Sequence, residues 1–247
     1  LLRITNQFIG SEDRRKKGKK MGSLEEIEEF IRQKVASAGA SGVVLGVSGG
    51  VDSAVTASLC ARALGPEKVL ALVLPESENS KEDVEHAKLV CKKLGVKSEL
   101  IDFTQAYKAL GEKLPGFGSD ESKVARGNLK ARLRMCILYY YSNKQNLLVV
   151  GTGNKSELMI GYFTRYGDGG ADFLPIGGLY KTQVQEIART LGLPEEVISK
   201  KPSAGLWKGQ TDEGELGVSY ALLDKILAEM LAGKGSEETA KKLGVEK

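Results

Sequence analysis

The stretch Val43-Val44-Leu45-Gly46-Val47-Ser48-Gly49-Gly50-Val51-Asp52-Ser53 reads as a buried strand that runs through a glycine loop into a helix. An unbroken apolar run is what a parallel strand covered on both faces requires. The adjacent glycines let backbone amides approach an anion, Ser48 and Ser53 add hydroxyl donors, and the following helix turns its positive end toward the loop. That helix is built of small and apolar residues and stops near Leu64, before Gly65-Pro66. A tight turn without a ligand is the plainer reading. Strand, glycine pair, carboxylate and helix nevertheless stand here in the order a phosphate site needs.

Working outward, Ser23-Leu24-Glu25-Glu26 has the pattern of a capping box, and Leu24, Ile27, Ile31 and Val35 recur at helical spacing, which predicts a helix up to the region of Gly39. Residues 69–74 form a second apolar strand. Ser80 caps a third helix with Val84, Ala87, Cys91 and Leu94 inside and Gly95 at its end, and residues 97–101 read as a third strand. A glycine- and charge-rich loop over 111–122 precedes a longer helix over about 124–142, with Leu129, Leu133, Ile137 and Tyr140 as its buried stripe. Residues 147–150 form a fourth strand that runs into Gly151-Thr152-Gly153-Asn154-Lys155-Ser156-Glu157, and helices are predicted over 181–191, 218–231 and 236–243. Strands alternating with helices imply an α/β fold, an open, doubly wound parallel sheet with helices on both faces. A single domain is expected over 23–247, preceded by a basic extension over 1–22.

Composition narrows the function classes. With 247 residues, 41% hydrophobic and 28% charged, the chain has the profile of a globular protein. No apolar run reaches the ~18 to 20 residues of a membrane span, and the first twenty residues lack a signal-peptide core, so a cytoplasmic location and no membrane partner are expected. Residues 1–20 hold a local charge of +5 in a chain of net +4. A basic run without interleaved aromatics is a weak nucleic-acid signal, and a solvated extension is the preferred reading. Cys60, Cys91 and Cys136 fit no disulfide or metal spacing and are expected in the core. The single histidine, His86, is expected at a solvated helix position, which removes histidine-based triads.

In an open α/β sheet the ligand lies beyond the carboxyl ends of the strands, so the loops after the first and fourth strands lead the candidates. The first lacks the Walker lysine and instead carries Asp52, a negative charge beside an anion site. A divalent cation between carboxylate and phosphate resolves that repulsion, and Glu157, in the loop after the fourth strand, can converge on the same Mg²⁺. Glu157 also fits a plain helix-capping role. Lys181 opens a helix, where a cation opposes the dipole by ~0.3 to 1 kcal/mol, so an anionic ligand explains it better than structure does. Arg132 stands off the apolar stripe, one turn from Asn128. It faces either a ligand or a solvated basic face shared with Arg126, Lys130 and Arg134. Tyr162, Phe163 and Tyr166 suit either stacking on a base or the core.

The residues 46–53 resemble the pyrophosphate loop of the ATP-pyrophosphatase superfamily. Gly151 to Glu157, then Gly161-Tyr162-Phe163-Thr164-Arg165-Tyr166-Gly167-Asp168-Gly169-Gly170-Ala171-Asp172, Pro175 and Leu179-Tyr180-Lys181-Thr182-Gln183 resemble the NAD synthetase family, with similarity over about 24–227. The resemblance implies an adenine nucleotide alpha hydrolase-like fold and a ligase. In that family, ATP adenylates the nicotinate carboxylate of deamido-NAD, and ammonia then displaces AMP to give NAD. It also implies that Gly46, Val47, Ser48, Gly49, Gly50, Val51, Asp52, Ser53, Thr152, Lys181 and Ser203 contact ATP, that Asp52 and Glu157 hold Mg²⁺, that Arg132, Arg165 and Asp172 contact the dinucleotide, that Asp168 lies near the reacting carboxylate, and that the chain is a homodimer. Arg165 stands where lysine is commoner and Ser203 where threonine is. The chain ends at Lys247 without the His-Lys pair that many members place near the C-terminus, expected from truncation or from a site built without it. A GMP synthetase or a tRNA-modifying pyrophosphatase is the rival. The former gives no reason for the 161–172 stretch, and the sulfur-transferring form of the latter needs a cysteine pair that is absent.

Overall fold

The computed structural model describes residues 23–244; the basic segment 1–22 and residues 245–247 lie outside the described residues. Strands β1 (Gly42–Gly46), β2 (Val69–Val73), β3 (Lys97–Leu100) and β4 (Leu147–Val149) form one parallel sheet in the order β3-β2-β1-β4. Val43 stands opposite Val69 on one side and Leu148 on the other. The helices are α1 (Leu24–Ser37), α2 (Val51–Leu64), α3 (Lys81–Leu94), α4 (Thr104–Gly111), α5 (Lys123–Gln145), α6 (Lys155–Ile160), α7 (Lys181–Thr190), α8 (Glu195–Ile198), α9 (Asp212–Leu216), α10 (Tyr220–Leu231) and α11 (Ser236–Leu243).

The period of two along the strands sends alternate residues into two cores. Val43, Leu45, Val69 and Ala71 pack with α1, α2, α3 and α7 on one face. Val44, Leu70, Leu72 and Val149 pack with Phe103, Tyr107 and the Leu129, Leu133 and Ile137 row of α5 on the other. Both faces of the sheet are therefore covered, as its apolar strands require. The exposed edge strand β3 carries the Lys97–Glu99 pair at 3.2 Å, a charged edge that discourages pairing with another chain. On the other edge, Phe173 bridges Val150, and the Asp172 carboxylate accepts the Val149 amide at 2.7 Å. The chain goes from β1 through β2 to β3 in one direction, then crosses to place β4 on the far side of β1. The switch point, where ligands enter such sheets, lies between the carboxyl ends of β1 and β4.

Several sequence expectations are corrected. On α5 the inward row runs in steps of four, so Tyr141 rather than Tyr140 continues Ile137, and Tyr140 is exposed. Arg132, Cys136 and Tyr140 form the outward row of the same spacing, and Cys136 is exposed while Cys60 and Cys91 are buried. Lys130 and Arg134, read as one solvated face with Arg132, are instead packed beneath the segments after β2 and around Leu206. His86 is largely covered, with its Nδ1 buried and without a hydrogen-bond partner among the described residues, because α3 packs against the glycine loop. Helices α4, α6, α8 and α9 were not foreseen; each spans one or two turns, too short for a helical period to declare itself.

Candidate active site

The loop between β1 and α2 is braced from within. The Ser53 hydroxyl donates to the Gly50 carbonyl at 2.9 Å and accepts the Ser48 amide at 3.2 Å. Gly49 adopts φ +80°, and a Cβ there would lie 2.3 Å from the Asp83 carbonyl, so the loop lies flat on α3 only because residue 49 has no side chain. The result is an open turn of amides and hydroxyls over the N-terminus of α2.

Across the switch point, α6 opens at Asn154, whose Oδ1 accepts the Glu157 amide at 3.0 Å while the Asn154 amide donates to Glu157 at 3.1 Å. The same Asn154 side chain donates to Asp52 Oδ1 at 3.0 Å, so the cap of α6 also orients the loop carboxylate. Lys181, the first residue of α7, places Nζ 2.5 Å from Asp52 and 3.4 Å from Glu157. Burial works to lower the Lys181 pKa, but Asp52 and Glu157 outweigh it and hold the ammonium above its ordinary value. Burial and then the charge of Asp52 push the Glu157 carboxyl up to about 8, against the pull of Lys181. Two carboxylates thus converge on one point, and a cation already stands there.

A cleft of about 590 Å³ extends from this point and is lined by the glycine loop, Thr152, Asp168, Lys200, Ser203 and Asp212 among others. That volume suits a nucleotide. Asp212 of α9 is buried and accepts the hydroxyls of Tyr162 and Tyr220 at 3.2 and 3.0 Å; burial raises its carboxyl. The Tyr220 ring centroid lies 5.0 Å from the Lys181 ammonium. At the other end Arg134 donates to the Leu74 carbonyl and to Asn79, and burial lowers its guanidinium. Asn154, Asp212, Tyr220 and Arg134 were missed as site residues. They come from four separate elements, and no local pattern joins them.

The residues expected to contact the dinucleotide fall elsewhere. Arg132 is exposed on α5 and donates to the Arg165 carbonyl at 3.2 Å, while the Arg165 guanidinium stacks over Tyr166 at 4.9 Å. Asp172 accepts the Tyr139 hydroxyl at 3.0 Å at the β4 edge. None of the three lines the cleft. Asp168 does; it faces the opening, accepts the Thr164 amide at 2.9 Å, and is raised by the protein packed around it although solvent reaches it. The Ser203 hydroxyl donates to the Gln210 carbonyl at 2.8 Å, so it must rotate to meet a ligand. Tyr162 and Phe163 line the cleft; Tyr166 is exposed.

The chain matches known proteins over most of its length. The sequence profile of the NAD synthase family matches residues 23–247. An NH(3)-dependent NAD(+) synthetase of Methanocaldococcus jannaschii is 52% identical over 222 residues, 90% of this chain and 86% of the relative. The solved NH3-dependent NAD synthetase of Campylobacter jejuni, with a nitrate ion, superposes with TM-score 0.71 at 35% identity over 90% of each chain. An NMN synthetase of Francisella tularensis gives TM-score 0.77 at 38% identity, covering 90% of this chain and 91% of the other. The phosphate-loop sheet and the match along nearly its whole length lead to one conclusion: this chain belongs to the NAD synthase family.

Proposed function

We propose that this protein is a ligase that amidates deamido-NAD to NAD with ammonia, using ATP as co-substrate and releasing AMP and pyrophosphate. The observation that carries the reading is the convergence of Asp52, Glu157 and Lys181 at the mouth of the glycine loop. A nicotinate carboxylate oxygen attacks the α phosphorus of ATP and pyrophosphate leaves. Ammonia then attacks the carboxyl carbon, and AMP departs with the oxygen that bridged them. The free loop amides and the Ser48 hydroxyl meet the charge that grows on the leaving pyrophosphate, Ser53 braces the loop that presents them, and Lys181 adds a buried positive charge beside it.

The donor set fits Mg²⁺. Asp52 and Glu157 offer oxygen ligands to a point already occupied by an ammonium, and Mg²⁺ ordinarily takes one or two carboxylates and completes its shell from phosphate and water. Bound there, the ion neutralises the polyphosphate. Thr152, Ser203 and Asp168 line the cleft; in this reading Thr152 and, once its hydroxyl has turned, Ser203 contact the nucleotide, and Asp168 faces the reacting carboxylate. Arg132, Arg165 and Asp172 lie beyond the cleft, which suits a dinucleotide long enough to run out over α5. A second copy of the chain paired across the outward row Arg132, Cys136 and Tyr140 would close over it. No described helix is long and apolar enough to cross a membrane, and the cytoplasm, where ATP and dinucleotide occur, is the location in this reading.

Mass-spectrometric product identification after incubation with ATP, Mg²⁺, ammonium and deamido-NAD tests the reading, with nicotinate mononucleotide as a second acceptor because of the likeness to an NMN synthetase. AMP, pyrophosphate and NAD are expected. ADP with orthophosphate, or amidation of the mononucleotide alone, would refute it.

A further inference from the structure

Helix α10 sets two residues one turn apart, Tyr220 and Asp224, against the starts of α6 and α7, which carry Glu157 and Lys181. Tyr220 lies under the Lys181 ammonium, as described. Asp224 is buried at 6% exposure and has no lysine or arginine in ion-pair range among the described residues. Its carboxylate is satisfied entirely by the two elements that carry the reacting groups. Oδ2 accepts the Thr182 amide at 2.9 Å and the Thr182 hydroxyl at 2.8 Å; Oδ1 accepts the Ser156 hydroxyl at 2.5 Å. The Ser156 oxygen in turn accepts the Lys181 amide at 2.9 Å.

Ser156 precedes Glu157 on α6, and Thr182 follows Lys181 on α7. One carboxylate therefore ties the first turn of α6 to the first turn of α7, next to each charged residue. It also takes up, directly or through Ser156, two of the amides that a helix N-terminus leaves free, where a negative charge is favoured by the dipole. A neutral side chain of the same shape cannot do this. An amide nitrogen in place of Oδ2 would face two donors from Thr182, and in place of Oδ1 it would leave the Ser156 hydroxyl proton without its acceptor.

We propose that Asp224 is a positioning residue: it sets the Lys181 ammonium against Asp52 and Glu157 by fixing α7 to α6, so that Lys181 meets the pyrophosphate portion of ATP. This rests on the reading of Lys181 as an ATP contact. The test is calorimetric titration of inorganic pyrophosphate with Mg²⁺, and separately of deamido-NAD, into the full chain and its variants. Asp224→Asn is expected to weaken pyrophosphate binding by roughly tenfold, the scale of a lost hydrogen bond to a charged group. Dinucleotide affinity should stay within about twofold, with unchanged stoichiometry. In a Lys181→Met background the same replacement should add less than about twofold, since it acts through Lys181. Ser156→Ala, which leaves the carboxylate but cuts its link to the Lys181 amide, carries the same expectation if Asp224→Asn does not fold. Unchanged pyrophosphate affinity, equal weakening of both ligands, or an undiminished effect in the Lys181→Met background would overturn the proposal. Failure of the unmodified chain to bind pyrophosphate would overturn the underlying site reading as well.

Discussion

At the scale of single residues, Asp52, Glu157 and Lys181 are a charge balance waiting for a ligand: two acids share one base in a buried place, and the arriving polyphosphate needs more positive charge than Lys181 supplies. Asp52→Asn and Glu157→Gln are each expected to remove most activity, by a factor of about 100 or more, with the circular dichroism of the fold retained. Near-normal turnover of either variant at limiting Mg²⁺ would rule out a shared cation site. Glu157 also predicts a pH dependence. Its folded pKa, about 8, is raised from 4.5, so the protonated form is the better accommodated in the ligand-free protein. Its contribution to stability is complete below about pH 4.5 and is lost as pH rises toward 8, the window in which the unfolded chain has already released the proton. Thermal melts from pH 5 to 8.5 should therefore show a downward slope that is smaller in Glu157→Gln, and parallel slopes would contradict it. Asp52, Glu157 and Lys181 were legible in sequence because each sits in a loop after a strand or at a helix start. Asp212, Asp224 and Arg134 were not: packing alone brings Asp212 and Arg134 to the cleft and Asp224 behind the starts of α6 and α7, and a buried acid or base on a helix has the same letter as a solvated one.

At the scale of elements, α5 shows what a charged letter leaves open. Its apolar row was readable, but nothing in its basic residues told a solvated face from a buried one. Lys130 is 1% exposed; its ammonium lies 2.7 Å from Glu76, also pairs with Glu78, and donates to the Leu206 carbonyl at 3.0 Å. Burial works to raise Glu76, and the hydrogen bonds from Lys130 and Ser77 more than reverse it, leaving its carboxyl below the ordinary value. This cluster joins α5 to the segment after β2 and to the one carrying Ser203, both of which line the cleft. Lys130→Met would leave Glu76 buried without its cation, and a loss of about 3 to 5 kcal/mol in urea unfolding is expected. A loss below about 1 kcal/mol would mean that water reaches Glu76 freely. Strands β1, β2 and β4 were the most legible elements, because each is a short continuous apolar run; the shortest helices were the least, since one turn of helix and a tight loop share the same residues.

At the scale of the whole molecule, the strand order β3-β2-β1-β4 is what makes a site out of two distant loops; the alternation of strands and helices was enough to expect a doubly wound parallel sheet, while the order itself comes from the structure. Exposure on α5 is the feature on which the proposed pairing of two copies rests. Tyr140, at 60%, joins Arg132 and Cys136 on a face that none of the described residues covers. A homodimer through this face predicts a species of about twice 26.6 kDa in sedimentation velocity at micromolar concentration, and a shift toward monomer for Tyr140→Glu. A single monomeric species at that concentration would exclude the pairing.

The central claim is that the cleft activates a carboxylate by transfer to the α phosphorus of ATP, with Asp52, Glu157, Lys181 and the glycine loop arranged for the departure of pyrophosphate. Deamido-NAD labelled with ¹⁸O in its nicotinate carboxylate tests this most directly. The account predicts one ¹⁸O in the AMP produced and none in the pyrophosphate, because the attacking oxygen stays on phosphorus when ammonia takes its place on carbon. Unlabelled AMP, or label recovered in orthophosphate, would contradict it.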